Sequence, residues 1–535
     1  MINIAAIAKA RSSLAPIIVA NHNITARCFI VKHRQPTTRG LFYRGNYVII
    51  SHMKAVTRFA PSPTGYIHIG NVRSAIYPYL IAKQQGKEGT FILRIEDTDQ
   101  ARYVEGATDL IKDTLTWLGL DWDEGPDKGG DHGPYYQTQR KEIYYEWAKK
   151  LIAAGRAYAD PTPSETVAKY REEANKNKQA FLYRNYRPDN TPEWEVGIPL
   201  RLKAQPKAYD YHDEVFGDLH MGPETQDDII LIKADGLPTY NFAHIVDDAT
   251  MGVTHVLRGQ EYLPSMGNYL ELYEAFGLER PKFVHLPHIL APSGNKKLGK
   301  RDGAKSANDY RLDGILPEAM LNFLACLGWN DGTEQEIYSK QDLIEKFDIT
   351  RIQRAGARYD EQKLLWLNGQ WIRRLFDEDA KALYERSKDF WPESAASYDD
   401  DYKFKIFSII YDRLKTLGDL KTMTGYFFED PKVDMDMLTT NKALKKLSEA
   451  ELCDLLRKSV TKLQGVEEWT AVNLQTALNE LLAETEQKPM VLFGLIRLSV
   501  SFAPFSPALH DTLAVIGKPA TLARLNAVIT TFGRD

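Results

Sequence analysis

Hydrophobic and polar positions alternate along residues 55–60, AVTRFA, as they do in a β-strand. Pro61 and Pro63 exclude a longer strand, and Gly65 can adopt the positive φ of a tight turn. From about residue 68 the apolar residues recur with the spacing of a helix that buries one face: Ile69, Val72, Ile76, Tyr79 and Leu80. The pattern therefore predicts a strand, a bend and a helix.

A second strand pattern, TFILRIEDTD at residues 90–99, follows this helix. The order strand, helix, strand predicts a parallel sheet that binds its ligand at the carboxyl ends of the strands, where Glu96 lies. A helix that begins directly after a glycine-containing turn presents unpaired N–H groups and the positive end of its dipole, which can hold a phosphate. The next stretch, residues 106–126, predicts an amphipathic helix closed by a turn.

The middle of the chain, from about residue 136 to 231, contains many tyrosines, charges and scattered prolines, which predicts an inserted subdomain. Strand patterns with polar, glycine-bearing ends resume in DDIILIKADGLPTYNFAHIVDD at 227–248 and THVLRGQEYL at 254–263. Beyond about residue 300 the apolar residues take helical spacing, as in Leu474, Leu478, Leu481 and Leu482. The C-terminal part is therefore predicted to be nearly all helical.

Composition narrows the functional classes. The length of 535 residues suggests several domains, and a net charge of −4 means that any nucleic-acid contact must use local patches. Cys28, Cys326 and Cys453 form neither a CxxC pair nor a Cys/His cluster, which argues against structural zinc and against a disulfide framework. No apolar run approaches the ~18 residues that span a bilayer, so we expect no membrane partner.

The first 52 residues contain seven Lys or Arg and no Asp or Glu. Such a segment resembles an organelle transit peptide, but it lacks serine richness and a clear amphipathic helix. We therefore favour Met53 as the true start and expect a cytoplasmic protein. If residues 1–52 are a genuine transit peptide, the location is mitochondrial or plastid.

Two short motifs carry candidate chemistry. At the predicted helix start, the His68 imidazole can hydrogen-bond a phosphate, and Gly70 lets a nucleotide approach the backbone. In residues 294–307, GNKKLGKRDGAKSA, Lys297 and Lys300 are three residues apart and flanked by glycines, so a loop can bring two ammonium groups onto a triphosphate. Taken alone, each motif has a plainer interpretation, as a helix-end histidine and as a solvated basic turn.

Together the two motifs resemble the HIGH and KMSKS signatures of class I aminoacyl-tRNA synthetases. The surrounding stretches resemble the glutamyl-tRNA synthetase family of bacterial type, in its order and spacing, from about residue 54 to the C-terminus: RFAPSPTGYIHIG, LRIEDTD, GLPTYNFAHIVDD, HVLRGQEYL and KLGKRDGA. Each stretch alone is weak evidence, but five in register are specific. The implied fold is an α/β Rossmann-type catalytic domain with an inserted α+β acceptor-binding subdomain and an all-α C-terminal anticodon-binding region.

The resemblance implies that L-glutamate and ATP, with Mg²⁺, give glutamyl-adenylate, and that the acyl group then passes to the terminal ribose of tRNA(Glu). His68, Lys297 and Lys300 are the catalytic candidates. The implied ATP-binding residues are His68, Gly70, Glu261, Lys297, Lys300 and Arg301.

The same resemblance assigns the glutamate-binding residues. Arg58 is expected to pair with the side-chain carboxylate, helped by Tyr240, and Arg258 to meet the α-carboxylate. Ser62 and Glu96 are expected to receive the α-ammonium group. The plainer alternative is a direct salt bridge between Arg58 and Glu96.

Two positions depart from the commonest family pattern. Gly299 replaces the usual serine of the lysine loop, which loosens the backbone. His244 stands where asparagine is frequent, and we interpret it as a packed histidine. The zinc-binding cysteine cluster of some relatives is missing from the insertion, so no structural zinc is expected.

The predicted organisation has six parts. They are a basic N-terminal extension (1–53), the first half of the catalytic domain (54–135), the acceptor-stem-binding insertion (136–231), the second half of the catalytic domain (232–296), the lysine loop with a stem-contact domain (297–375) and the helical anticodon-binding region (376–535). By resemblance the protein is expected to be a monomer.

Other functions stay open at this point. A non-discriminating enzyme would also glutamylate tRNA(Gln). A glutaminyl enzyme fits less well, because its anticodon region is typically a β-barrel. A catalytically silent tRNA-binding protein would be expected to lack the phosphate-handling residues, and His68, Gly70, Lys297 and Lys300 are all present.

Overall fold

The computed structural model describes residues 54–65, 69–299, 305–503 and 506–532. The basic extension, His68, Lys300 and Arg301 lie outside the described residues. What the sequence predicts for them stays a prediction.

Strands and helices alternate in the first half of the described chain, and helices dominate the second half. The strands are β1 (Val56–Phe59), β2 (Thr90–Leu93), β3 (Ala157–Ala159), β4 (Leu200–Leu202), β5 (Tyr209–Asp213), β6 (Gly217–Met221), β7 (Ile230–Ile232), β8 (His255–Gly259), β9 (Lys282–Leu286), β10 (Ile289–Leu290) and β11 (Ala357–Arg358). The helices are α1 (Ile69–Gln84), α2 (Ala107–Trp117), α3 (Lys141–Ala153), α4 (Ser164–Lys176), α5 (Tyr240–Thr250), α6 (Met266–Phe276), α7 (Ala307–Leu312), α8 (Pro317–Cys326), α9 (Lys340–Lys346), α10 (Glu361–Ser387), α11 (Asp400–Ile410), α12 (Leu420–Met423), α13 (Met435–Thr439), α14 (Glu449–Gln464), α15 (Ala471–Thr485), α16 (Pro489–Ser501), α17 (Leu509–Ile516) and α18 (Lys518–Phe532).

The parallel strands of the catalytic region bring their carboxyl ends to one edge. β1 runs parallel to β2, and β8 runs parallel to β9 with Arg258 opposite His285. The Thr254 amide donates to the Val56 carbonyl at 2.9 Å, which joins the start of β8 to β1. The predicted strand, helix, strand order and the parallel pairing are confirmed.

Helix α1 packs against β1, β2 and β8. Its five predicted core residues are all buried, and Gly65 in the preceding turn has a φ of +130°. Burial of this apolar face fixes the helix to the sheet, so its first residues lie beside the strand ends. The predicted strand, bend and helix are confirmed over the described residues.

The inserted region contains a small antiparallel sheet in the order β3, β4, β7. Strand β5 does not belong to that sheet. It pairs with β6 on one side and runs parallel to β9 on the other, with Asp213 opposite Phe283. A strand of the insertion therefore extends the catalytic sheet.

From Glu361 onward the described residues form helices and no strand. Leu474, Leu478 and Leu481 are buried in the C-terminal core, and Leu482 packs against it. The predicted helical C-terminal region is confirmed. No helix in the described ranges combines the length and apolar character needed to cross a bilayer.

Candidate active site

A pocket of about 420 Å³ opens where β1, β2, β8 and β9 end. Such an edge is where open parallel sheets bind their ligands. Eight residues predicted from the sequence line this pocket: Arg58, Ser62, Gly70, Glu96, Tyr240, Arg258, Glu261 and Lys297. The structure therefore brings together all the described candidates.

Arg58, on β1, is neutralised by a buried carboxylate. Its Nε and one terminal nitrogen donate to the two oxygens of Asp248 at 2.9 and 3.2 Å, and the other terminal nitrogen donates to the Leu257 carbonyl at 2.9 Å. Burial alone would raise the pKa of Asp248, but Arg58 and Arg94 hold it below its ordinary value. Arg58 thus offers oriented donors whose charge is already balanced.

Glu96 is held by a different arginine. Arg94, which is 0% exposed, donates to Glu96 Oε1 at 3.0 Å and to Asp248 Oδ1 at 2.7 Å. The direct Arg58–Glu96 salt bridge considered from the sequence is therefore wrong, since the two residues have separate partners joined through Arg94 and Asp248. Burial raises the pKa of Glu96, and the two arginines offset that effect only in part.

Arg258, on β8, is a buried cation without an acidic partner in the described part of the chain. Its nitrogens donate to the ring nitrogens of His285 and His244, at 3.1 and 3.2 Å, and one lies 2.8 Å from the sulfur of Met266. The guanidinium also faces the rings of Tyr262 and Tyr269. A buried, uncompensated positive charge at a pocket wall favours an anionic ligand.

Another part of the pocket lining carries groups suited to phosphate. Gly70 lies at the start of α1, and a Cβ there would meet nothing within 4 Å, so a ligand can approach the backbone. Lys297 Nζ lies 3.1 Å from Glu261 Oε1, and both side chains are about half exposed. Gly299, the departure from the family pattern, also lines the pocket.

Magnesium in nucleotide sites is held by one or two carboxylates together with substrate phosphates. Glu261 supplies one such carboxylate beside Lys297, so the residues present fit an ion carried by the nucleotide. Within the described ranges, no group of three or more His, Cys, Asp or Glu is placed to hold a metal ion by itself.

Comparison with known proteins decides the family. The catalytic-domain model of class I tRNA synthetases (E and Q) matches residues 54–366, and an anticodon binding domain model matches residues 382–529. Glutamate–tRNA ligases of Clostridium botulinum and Dehalococcoides mccartyi are 42% and 38% identical to the chain, and each alignment covers 88% of this chain and 97% of the relative. The chain belongs to the glutamate–tRNA ligase family of class I aminoacyl-tRNA synthetases.

Solved structures of this synthetase family share the architecture. The crystal structure of a glutamate tRNA ligase from Elizabethkingia meningosepticum, in complex with its amino acid, aligns with a TM-score of 0.79 and 33% identity over 90% of this chain and 100% of that one. A glutamate–tRNA synthetase structure from Elizabethkingia anophelis aligns with a TM-score of 0.78 and 32% identity, over 89% of this chain and 100% of that one. The predicted Rossmann-type domain with an all-α C-terminal region is thereby confirmed.

Several residues of this synthetase site were missed by sequence reasoning. Arg94 and Asp248 lie inside quoted motifs, but only the structure shows that they join Arg58 to Glu96. Arg73, on α1, is buried at the pocket and donates to the carbonyls of Leu327 and Pro287, which ties α1 to the loop after β9. Arg73 could have been singled out from the sequence, because it is a charged residue within the apolar pattern of α1.

Proposed function

We propose that the protein attaches glutamate to the 3′ end of tRNA(Glu), with ATP as the energy source and glutamyl-adenylate as the intermediate. The observation that carries the proposal is the charge arrangement of the pocket, in which the uncompensated Arg258 and the buried carboxylate of Glu96 line one cavity. Glutamate carries two carboxylates and one ammonium group, so its charges complement this lining. Membership of the glutamate–tRNA ligase family supports the same substrate.

In this proposal each charged group of glutamate has a partner. Arg58 and Tyr240 receive the side-chain carboxylate, and Arg258 receives the α-carboxylate. Glu96 and Ser62 receive the α-ammonium group. Because burial raises the pKa of Glu96, an ammonium ion that binds beside it also stabilises its charged form.

The first chemical step is attack of an α-carboxylate oxygen on the α-phosphorus of ATP. A new C–O–P linkage forms, the bond to the pyrophosphate breaks, and the pyrophosphate leaves with its electron pair. The start of α1 and Lys297 stabilise phosphate charge, and this step needs no covalent nucleophile from the protein. Magnesium, when bound, neutralises charge on the leaving pyrophosphate.

In the second step a hydroxyl of the terminal ribose of tRNA attacks the activated carbonyl, and AMP leaves. The insertion is proposed to hold the acceptor end of the tRNA, and the helical region matched by the anticodon-binding model is proposed to hold the anticodon. The pairing of β5 with β9 supports this arrangement, since β9 ends at the pocket.

Charging assays with labelled glutamate test the proposed function. We expect the full chain to charge purified tRNA(Glu), and a Lys297→Ala variant to lose about 10²- to 10³-fold in kcat/KM, because one cation on the phosphates is removed. Lys282→Ala is the matched control, since Lys282 is more than half exposed and its ion-pair partner is Glu214, away from the pocket.

The same assay with tRNA(Gln) separates the two enzymatic alternatives. Charging of both tRNAs would identify a non-discriminating enzyme. A folded protein that binds tRNA but charges neither tRNA contradicts the proposed activity and supports a silent tRNA-binding protein.

A further inference from the structure

Arg258 is oriented by two histidines that accept its hydrogen bonds. Its Nε donates to Nε2 of His285 at 3.1 Å, and one terminal nitrogen donates to Nε2 of His244 at 3.2 Å. Arginine has five N–H groups and no acceptor, so each of these ring nitrogens must carry a lone pair and not a proton. The sulfur of Met266 contacts the second terminal nitrogen. The Tyr240 hydroxyl accepts a further hydrogen bond from the guanidinium, which leaves one of the five N–H groups for a ligand.

The opposite ring nitrogen of each histidine has an acceptor that fixes this tautomer. His285 Nδ1 donates to Oδ2 of Asp213 at 2.6 Å, and His244 Nδ1 donates to the Tyr240 carbonyl at 2.7 Å. Burial and the charge of Arg258 lower the pKa of His244 to about 3, and burial lowers the pKa of His285 despite Asp213. Both rings are therefore neutral at physiological pH.

Neutral partners orient a guanidinium without cancelling its charge. Arg58 is paired directly with a carboxylate and offers a ligand mainly its remaining N–H donors, whereas Arg258 is oriented by imidazoles and has no carboxylate in direct contact among the described residues. We propose that His244, and Asp213 acting through His285, are positioning residues that aim the charged Arg258 at a carboxylate of glutamate. This inference rests on the proposed function and names further residues of the same site.

Asp213 suits this role because every part of its carboxylate is engaged. Oδ1 accepts from the amides of Val215 and Phe216 at 3.0 and 2.9 Å, and Oδ2 accepts from both the amide and Nδ1 of His285. The side chain is fully buried at the end of β5. A residue of the insertion thus fixes the ring that orients the glutamate-binding arginine on β8.

The variant Asp213→Asn reverses the tautomer with almost no change in shape. The amide oxygen satisfies the Val215 and Phe216 amides, which turns its NH₂ group toward His285. Nδ1 of that ring becomes an acceptor, and the His285 backbone amide loses its acceptor. The ring proton then moves to Nε2, where it faces the Nε–H of Arg258, donor against donor. We expect KM for glutamate to rise about tenfold to hundredfold, while KM for ATP changes by less than about threefold.

A double-mutant cycle tests whether Asp213 acts through His285. In a His285→Gln variant the side-chain oxygen can accept from Arg258 whichever residue stands at position 213. Adding D213N to H285Q is therefore expected to raise KM for glutamate less than threefold. In the wild-type background, D213N is expected to raise it tenfold or more. His244→Phe is a second, independent variant. It keeps the ring packing against Tyr240 and Tyr269 but removes the acceptor, and it is expected to raise KM for glutamate about tenfold.

His255→Gln is the matched control, because His255 lies at the start of the same strand and bonds Thr254, away from the pocket. Thermal unfolding establishes that each variant is folded. The proposal is overturned if folded D213N and H244F keep the wild-type KM for glutamate, if KM for ATP rises as much, or if D213N costs the same in both backgrounds. If D213N does not fold, H244F alone decides in the same way. Failure of the proposed function is distinguishable, since the wild-type protein itself would then not charge tRNA.

Discussion

Replacing Arg258 by leucine is expected to lower kcat/KM for glutamate by about 10²- to 10³-fold, mainly through a higher KM, because the variant loses a buried charge–charge contact worth about 3 to 4 kcal/mol. The physical reason is that Arg258 is a buried cation of the pocket whose charge has no directly bonded acidic partner in the described chain. Charging of tRNA(Glu) over a range of glutamate concentrations measures the effect. Arg280→Leu is the control, because Arg280 is exposed and donates to the Asp210 carbonyl.

The carboxylate that meets Arg258 can be identified with the amino alcohol in which CH₂OH replaces the α-carboxylate of glutamate. If Arg258 binds the α-carboxylate, as proposed, R258L strongly raises KM for glutamate. Inhibition by the amino alcohol then stays within about threefold of wild type. If R258L weakens the binding of both compounds equally, Arg258 binds the side-chain carboxylate and Arg58 binds the α-carboxylate. An unchanged KM for glutamate contradicts the proposed role of Arg258 altogether.

Local patterns placed the pocket correctly but did not reveal how its charges are balanced. Prolines and a glycine end β1 at a fixed point, and parallel strands share one carboxyl edge, so Arg58, Ser62 and Glu96 were predictable neighbours. Their partners were not predictable in this way. Arg94, directly after β2, and Asp248, on α5, come together through a long-range contact that no local periodicity indicates.

His244 shows the same limit on a single residue. The prediction of a packed histidine is confirmed, since the ring is 1% exposed between Tyr240 and Tyr269. Its second contact, with Arg258, depends on how α5 lies across β8. The role of Asp213 was harder to predict, because β5 lies within the insertion in sequence but pairs with β9 of the catalytic sheet. The composition of this stretch predicted an inserted subdomain, and the structure shows that one of its strands pairs with the catalytic sheet.

Replacing Asp248 by asparagine is expected to destabilise the protein by about 3 to 5 kcal/mol at pH 7, because the change leaves Arg58 and Arg94 buried without their shared carboxylate. Asp248 is 2% exposed, so water cannot replace the lost charge. The change in the midpoint of urea-induced unfolding, followed by circular dichroism, measures the effect. Asp210→Asn is the control, because that carboxylate is exposed and its partner His220 lies at the surface.

The loss should depend on pH in one direction. The pKa of Asp248 is lower in the folded protein than the ordinary value of about 3.9 in an unfolded chain, so its contribution is fully present above that value and is lost as the pH falls below it. The difference between wild type and D248N is therefore expected to stay constant from pH 8 to about pH 5 and to shrink below about pH 4. A difference below about 1 kcal/mol at pH 7 would mean that Arg58 and Arg94 find other partners, and that their bonds to Asp248 are not needed for stability.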